Sequence, residues 1–163
     1  MKVLSALAGA PLLIAALASP AAAQSPLVRG FAAAGSASDV NHQNALTFGG
    51  GVLVDLGQPW VSAGAQGDAL TRNGYYAGRG AVFGQFNPLG AGPIRPFVLG
   101  GMGFGEWAGP LIGGGVEVRT GPRLGFRLAL EDYTSRHIVN DRAFVETGRE
   151  TGHQVSVKFG VLF

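Results

Sequence analysis

The chain of 163 residues has no cysteine. This excludes a disulfide framework, thiolate metal ligation and a lipoprotein anchor built on an acylated cysteine. Charge is also scarce. Charged residues make up 13% of the chain and hydrophobic residues 47%, whereas a soluble domain carries about twice that charge. Neither sign dominates, with 12 basic and 10 acidic residues. That balance gives no footprint for a polyanion, so no nucleic-acid partner is expected. His42, His137 and His153 fall in three separate segments, none at ligand spacing. No metal or other cofactor is expected from them. Long helices are excluded as well, because 28 glycines and 9 prolines are scattered along the chain. Pro96 to Val116 holds one charge, Glu106, among eight glycines and two prolines. An apolar chain that avoids helix points to the other structure a bilayer permits, a closed barrel of strands.

What is present begins with a targeting pattern. Lys2 is followed by an apolar run from Val3 to Leu17 and then by Ala21-Ala22-Ala23. A positive start, a short apolar core and a small-residue site make up a cleavable export signal. The expected organisation is therefore a signal peptide over 1–23 and one domain over 24–163.

Turn-forming residues divide that domain into eight extended segments, expected near 27–35, 45–54, 59–67, 75–86, 94–105, 111–119, 123–133 and 152–163. Asn-Gly, Asn-Pro and Gly-Pro mark several of the breaks. Compact turns are expected after the even-numbered segments and more polar connections after the odd ones. The longest polar stretch, Thr134–Thr151, is read as a loop or as an extension of the two strands beside it. Short turns at one end and long loops at the other are the habit of outer-membrane barrels.

Period-two alternation is clearest in the last segment. Val155, Val157, Phe159, Val161 and Phe163 share one face, and Gln154, Ser156, Lys158 and Gly160 share the other. Leu124, Phe126, Leu128 and Leu130 alternate in the same way with Gly125, Arg127, Ala129 and Glu131. The face opposite the apolar one is rich in glycine, alanine and charge. An eight-stranded barrel leaves an interior just wide enough for side chains, so that face suits the inside and the apolar face suits lipid. Arg79, Glu117, Arg127, Glu131 and Lys158 are then candidates for an ionic network in the lumen, with Arg95 beside them. Buried charges must pair, because an isolated one is very costly. Aromatic residues are expected at the two bilayer interfaces: Trp60, Phe86, Phe97 and Phe163 at the turn end, and Tyr75, Tyr76, Phe104, Trp107 and Tyr133 at the other.

The run Val155–Phe163, with alternating apolar residues and a final Phe, resembles the signal read by the outer-membrane insertion machinery. Arg95-Pro96-Phe97-Val98-Leu99-Gly100-Gly101, then Gly113-Gly114-Gly115-Val116-Glu117-Val118, resembles the core of outer-membrane β-barrel domain proteins. Gly121–Arg127 followed by Asp132-Tyr133 is similar to the next hairpin of that group. The group is the small OmpA- and OmpX-like barrels. The resemblance implies an all-β, eight-stranded antiparallel up-and-down transmembrane barrel in the cell outer membrane. It implies outer-membrane lipid and lipopolysaccharide as surroundings, with the insertion machinery and periplasmic chaperones as assembly partners.

The expected function is that of a structural or interaction barrel, a monomer without catalysis, with external loops as the contact surface. Two alternatives belong to other classes. Ser135 and His137, two residues apart with Glu131 and Asp132 nearby, would suit a lipid A-modifying hydrolase. A soluble lipocalin-like binder would turn the apolar face inward.

Overall fold

The computed structural model describes residues 28–39, 44–58, 60–72, 75–90, 92–105, 107–121, 124–140 and 146–163, without the side chains of 39, 57, 72, 75, 135–140 and 146–151. The expected signal peptide, residues 1–23, lies outside the described residues. Eight strands follow one another: β1 (Val28–Asp39), β2 (Asn44–Gln58), β3 (Val61–Arg72), β4 (Tyr75–Phe86), β5 (Ile94–Gly105), β6 (Gly109–Arg119), β7 (Gly125–Asn140) and β8 (Glu146–Leu162). Every neighbouring pair is antiparallel, and β1 pairs with β8 to close the barrel. Closure satisfies backbone N–H and C=O groups within the wall and leaves no free edge there, which is the condition for crossing hydrocarbon.

The strands reach farther than punctuation suggests. β1, β2, β3 and β8 each continue through residues read as turn or loop. The Asp55–Gln58 turn is instead the end of β2, where the register with β3 shifts between Asp55 and Gln58. The ladder between β7 and β8 runs from Gly125↔Leu162 to Asn140↔Glu146. The stretch Thr134–Thr151 is thus largely a strand extension. Polar side chains do not interrupt backbone pairing, so composition marks where a strand leaves an apolar environment and not where it ends.

At the turn end the connections are tight. The Asn87 amide donates to the Trp60 carbonyl at 2.8 Å, and the Gly90 amide donates to the Asn87 carbonyl at 3.0 Å. Gly90 has a φ of 62°, a left-handed value that favours glycine. At the β6–β7 corner the Thr120 amide donates to the Leu124 carbonyl at 3.1 Å.

The alternation resolves into an apolar outside and a mixed inside. Phe126, Leu128, Leu130, Val155, Val157, Phe159 and Val161 are exposed. The alternate residues Arg127, Ala129, Glu131, Ser156, Lys158 and Leu162 are buried. This overturns the alternative of a soluble lipocalin-like barrel, which would bury the first set and expose the second. The interior also holds an apolar cluster that includes Phe31, Leu53, Phe83, Phe97, Leu99 and Leu111.

The cluster corrects part of the interfacial aromatic assignment. Trp60, Tyr76, Phe86, Phe104 and Phe163 face outward, whereas Phe97, Trp107 and Tyr133 are buried. The reason is parity. Phe97 follows Arg95 by two residues and Tyr133 follows Glu131 by two, so each shares the inward face of its charged neighbour. Glycine makes room for these rings. A Cβ on Gly103 would stand 2.8 Å from the Tyr133 ring, and one on Gly115 would stand 2.8 Å from the Phe97 ring.

Candidate functional site: an ion-paired lumen

β4, β6, β7 and β8 each contribute charged side chains to the interior through inward parity. Arg79, Glu117, Arg127, Glu131 and Lys158 are all buried, none more than 3% exposed. The contacts separate into two clusters at different heights.

The cluster nearer the turns is centred on Glu117. One oxygen, Oε1, accepts from Arg127 Nη1 at 2.6 Å and from Gln85 Nε2 at 2.9 Å. The other, Oε2, accepts from Arg29 Nη1 at 2.8 Å. Arg29 Nη2 also donates to Asp55 Oδ1 at 2.7 Å, and Ser62 Oγ donates to the same oxygen at 2.8 Å. Gln85 accepts from Arg127 at 2.8 Å and donates to Asn87 Oδ1 at 3.0 Å. The register explains the meeting: Arg95↔Glu117 and Glu117↔Arg127 are ladder partners across β5, β6 and β7. Arg127 also lies 4.0 Å from the centre of the Phe97 ring and 5.1 Å from that of Phe31. A guanidinium over an aromatic face gains from the ring quadrupole, more so when desolvated.

The cluster nearer the loops is built on two carboxylates. Asp68 Oδ2 accepts from Lys158 Nζ at 2.6 Å and from Arg79 Nε at 3.0 Å. Glu131 Oε2 pairs with Lys158 Nζ at 2.8 Å and accepts from Gln66 Nε2 at 2.8 Å. Gln66 Nε2 also donates to Tyr133 Oη at 2.7 Å. Arg79 donates to Gln154 and to Ser156, and its guanidinium lies 4.0 Å from the centre of the Tyr133 ring. Phe83 lies between Gln85 and Arg79 on β4, and Ala129 lies between Arg127 and Glu131 on β7, so apolar groups separate the two clusters along the wall. Arg29, Asp68, Arg79, Glu117, Arg127, Glu131 and Lys158 each have an opposite charge within 3.0 Å, which offsets desolvation in a low-dielectric interior.

Sequence reasoning missed Arg29, Asp55, Gln66, Asp68 and Gln85 as members. Asp68 was cut off from its strand, because β3 alternates small residues (Ala63, Ala65, Gly67, Ala69) against Ser62, Gly64, Gln66 and Asp68. An alanine face carries little hydropathy contrast. The polar parity itself was the usable signal.

On the outer wall, Val155, Val157, Phe159, Val161 and Phe163 form one exposed row. Phe163 is held to β1 by two backbone bonds, its amide to the Gly30 carbonyl at 3.0 Å and the Gly30 amide to its carbonyl at 2.8 Å. The side chains of Ser135 and His137 lie outside the described residues. Their backbones pair with Gly152 and Glu150. His42 is outside too. Among the described residues no group of three or more His, Cys, Asp or Glu could hold a metal ion.

No protein-family model matches the chain, and no curated protein matches it in sequence. Its structure is similar to that of the N-terminal β-barrel domain of Pseudomonas aeruginosa OprF, with a TM-score of 0.57 and 13% identity over 86% of this chain and 100% of that one. It is also similar to Neisserial surface protein A (NspA), with a TM-score of 0.59 and 10% identity over 83% of this chain and 94% of that one. The fold is therefore that of the eight-stranded outer-membrane barrels.

Proposed function

We propose that this chain is a structural and interaction protein of the bacterial outer membrane, a barrel that is sealed rather than open and that performs no catalysis. The observation that carries the reading is the inverted polarity of the wall. Large apolar side chains are exposed on seven of the eight strands, from Val28, Leu46 and Phe48 through Ile112 to Phe159, and β3 turns alanine and glycine outward instead. Charged residues are inside and paired. A contiguous apolar surface of this size would aggregate in water and is at rest in lipid. The paired clusters plug the lumen and hold the strands in register. The end bearing the β7–β8 extension is the external contact surface, with outer-membrane lipid and lipopolysaccharide as its surroundings. Residues 1–23 direct export, and the row ending at Phe163 serves the insertion machinery and the periplasmic chaperones that deliver the chain.

Fractionation of expressing cells tests the reading. The protein should enter the outer-membrane fraction and migrate differently on a gel before and after boiling. Sequencing of its N-terminus should begin at Gln24. A mature chain that stays monomeric and folded in detergent-free buffer would overturn the membrane assignment.

A further inference from the structure

One polar group interrupts the outer wall where the apolar belt stops. On β7, Asp132 sits in the ladder between Ile112 of β6 and Val155 of β8, both exposed and apolar. The next outward positions are Thr134 and its ladder partner His153. His153 Nδ1 lies 3.0 Å from Asp132 Oδ2 and 3.3 Å from Oδ1. The Thr134 hydroxyl stands 3.5 Å from the same nitrogen. The imidazole is half exposed and the carboxylate about a quarter exposed. The lumen clusters do not include this group.

Its height is fixed by strand geometry. From Phe163 to His153 the wall rises about 25 Å, at about 3.3 Å per residue and a tilt of about 40°. That is also about the height of the apolar band of an outer-membrane barrel. The Asp132–His153 pair therefore stands at headgroup level on the loop side, directly above the acyl-chain region.

We propose that Asp132, His153 and Thr134 form a lipid-headgroup site selective for phosphoethanolamine. The inference rests on the membrane reading above. With Nδ1–H donated to Asp132, the ring turns Nε2 outward, where it can accept an N–H from outside. The primary ammonium of a headgroup is such a donor, and the Thr134 hydroxyl can donate to the headgroup phosphate. The Asp132 carboxylate accepts N–H bonds from the primary ammonium two carbons away. The carboxylate thus matches the ammonium and the Thr134 hydroxyl matches the phosphate. Phosphocholine has the same charges but no N–H donor for Asp132. Phosphoglycerol has the phosphate and no cation.

The test uses the full chain folded into vesicles containing equal amounts of phosphatidylethanolamine, phosphatidylcholine and phosphatidylglycerol. Insertion is read by heat-modifiable migration. Lipids retained after mild detergent extraction are counted by native mass spectrometry. Wild type should retain phosphatidylethanolamine about threefold above either other lipid, the scale of a solvent-exposed charge pair. Asp132→Asn and His153→Ala should insert normally and retain the three lipids equally. Equal retention by wild type, a preference for phosphatidylglycerol, or a preference unchanged in both variants would overturn the site while leaving the membrane reading standing. Failure of wild type to insert at all would overturn the membrane reading, and the site with it.

Discussion

At the scale of single residues, Glu117 carries the most. It accepts from Arg29, Arg127 and Gln85, and it is fully buried. Glu117→Gln keeps the shape and removes the charge, leaving two guanidinium groups deprived of their shared carboxylate. Breaking a buried pair by one partner costs about 3–5 kcal/mol. The urea midpoint of the variant folded in vesicles should fall accordingly, with the strand signal unchanged in native buffer. Gly115 gives a steric counterpart. A side chain there meets the Leu128 backbone and the Phe97 ring. Gly115→Val should abolish folding, scored as loss of heat-modifiable migration, whereas Gly84→Val, where a Cβ meets nothing, should leave it intact. Residue types alone did not separate these two glycines. Their strand positions have opposite parity, and only the closed wall shows what each one faces.

At the scale of elements, β7 and β8 show best what the sequence discloses. Their apolar and polar faces can be read directly from period two, because Leu, Val and Phe alternate with Arg, Glu, Lys and Gly. β3 was less legible, since its outward face is alanine and glycine. The inner partners of each charge were not legible at all. A contact such as Lys158 to Asp68 spans 90 positions and depends on closure. The same substitution should cost differently inside and outside the apolar belt. Leu128→Arg puts a charge on the lipid side and should cost about 2–4 kcal/mol near the bilayer midplane. Leu89→Arg, exposed in the turn after β4, should cost almost nothing. Both are measurable by the same denaturant titration. Among the described residues the β7–β8 ladder beyond Tyr133 and Gln154 runs without a third strand beside it, since pairing with β6 ends at Leu111↔Tyr133 and pairing with β1 at Asp39↔Gln154. Replacing residues 136–149 with a short turn should therefore leave the barrel folded and its unfolding midpoint within about 1 kcal/mol of wild type, as for surface changes outside the cooperative core.

At the scale of the whole molecule, an inside filled by side chains has a functional corollary. On the proposed reading, two ion-paired layers with rings between them plug the lumen. In planar bilayers the purified protein should give no regular conductance steps. Steps that vanish in Glu117→Gln would contradict the sealed lumen. The fold class was legible from composition together with alternation, because an apolar, glycine-rich chain with little charge has few other ways to satisfy its backbone. The proposed headgroup site was not, since it consists of a few outward side chains at the rim, which follow no period.

The seam between β1 and β8 has a consequence in time. It joins Phe31 to Leu162 and Asp39 to Gln154, the two ends of the folded chain. No subset of strands made earlier can close, so a nascent chain gains nothing from folding as it emerges. Contacts of such long sequence separation form slowly, because the loop entropy must be spent before the reward arrives. Until the last strand is present, the chain travels with its apolar face and its unpaired backbone uncovered. The barrel is therefore an all-or-none object: truncation within β8 should yield no smaller barrel, only an aggregating or degraded chain.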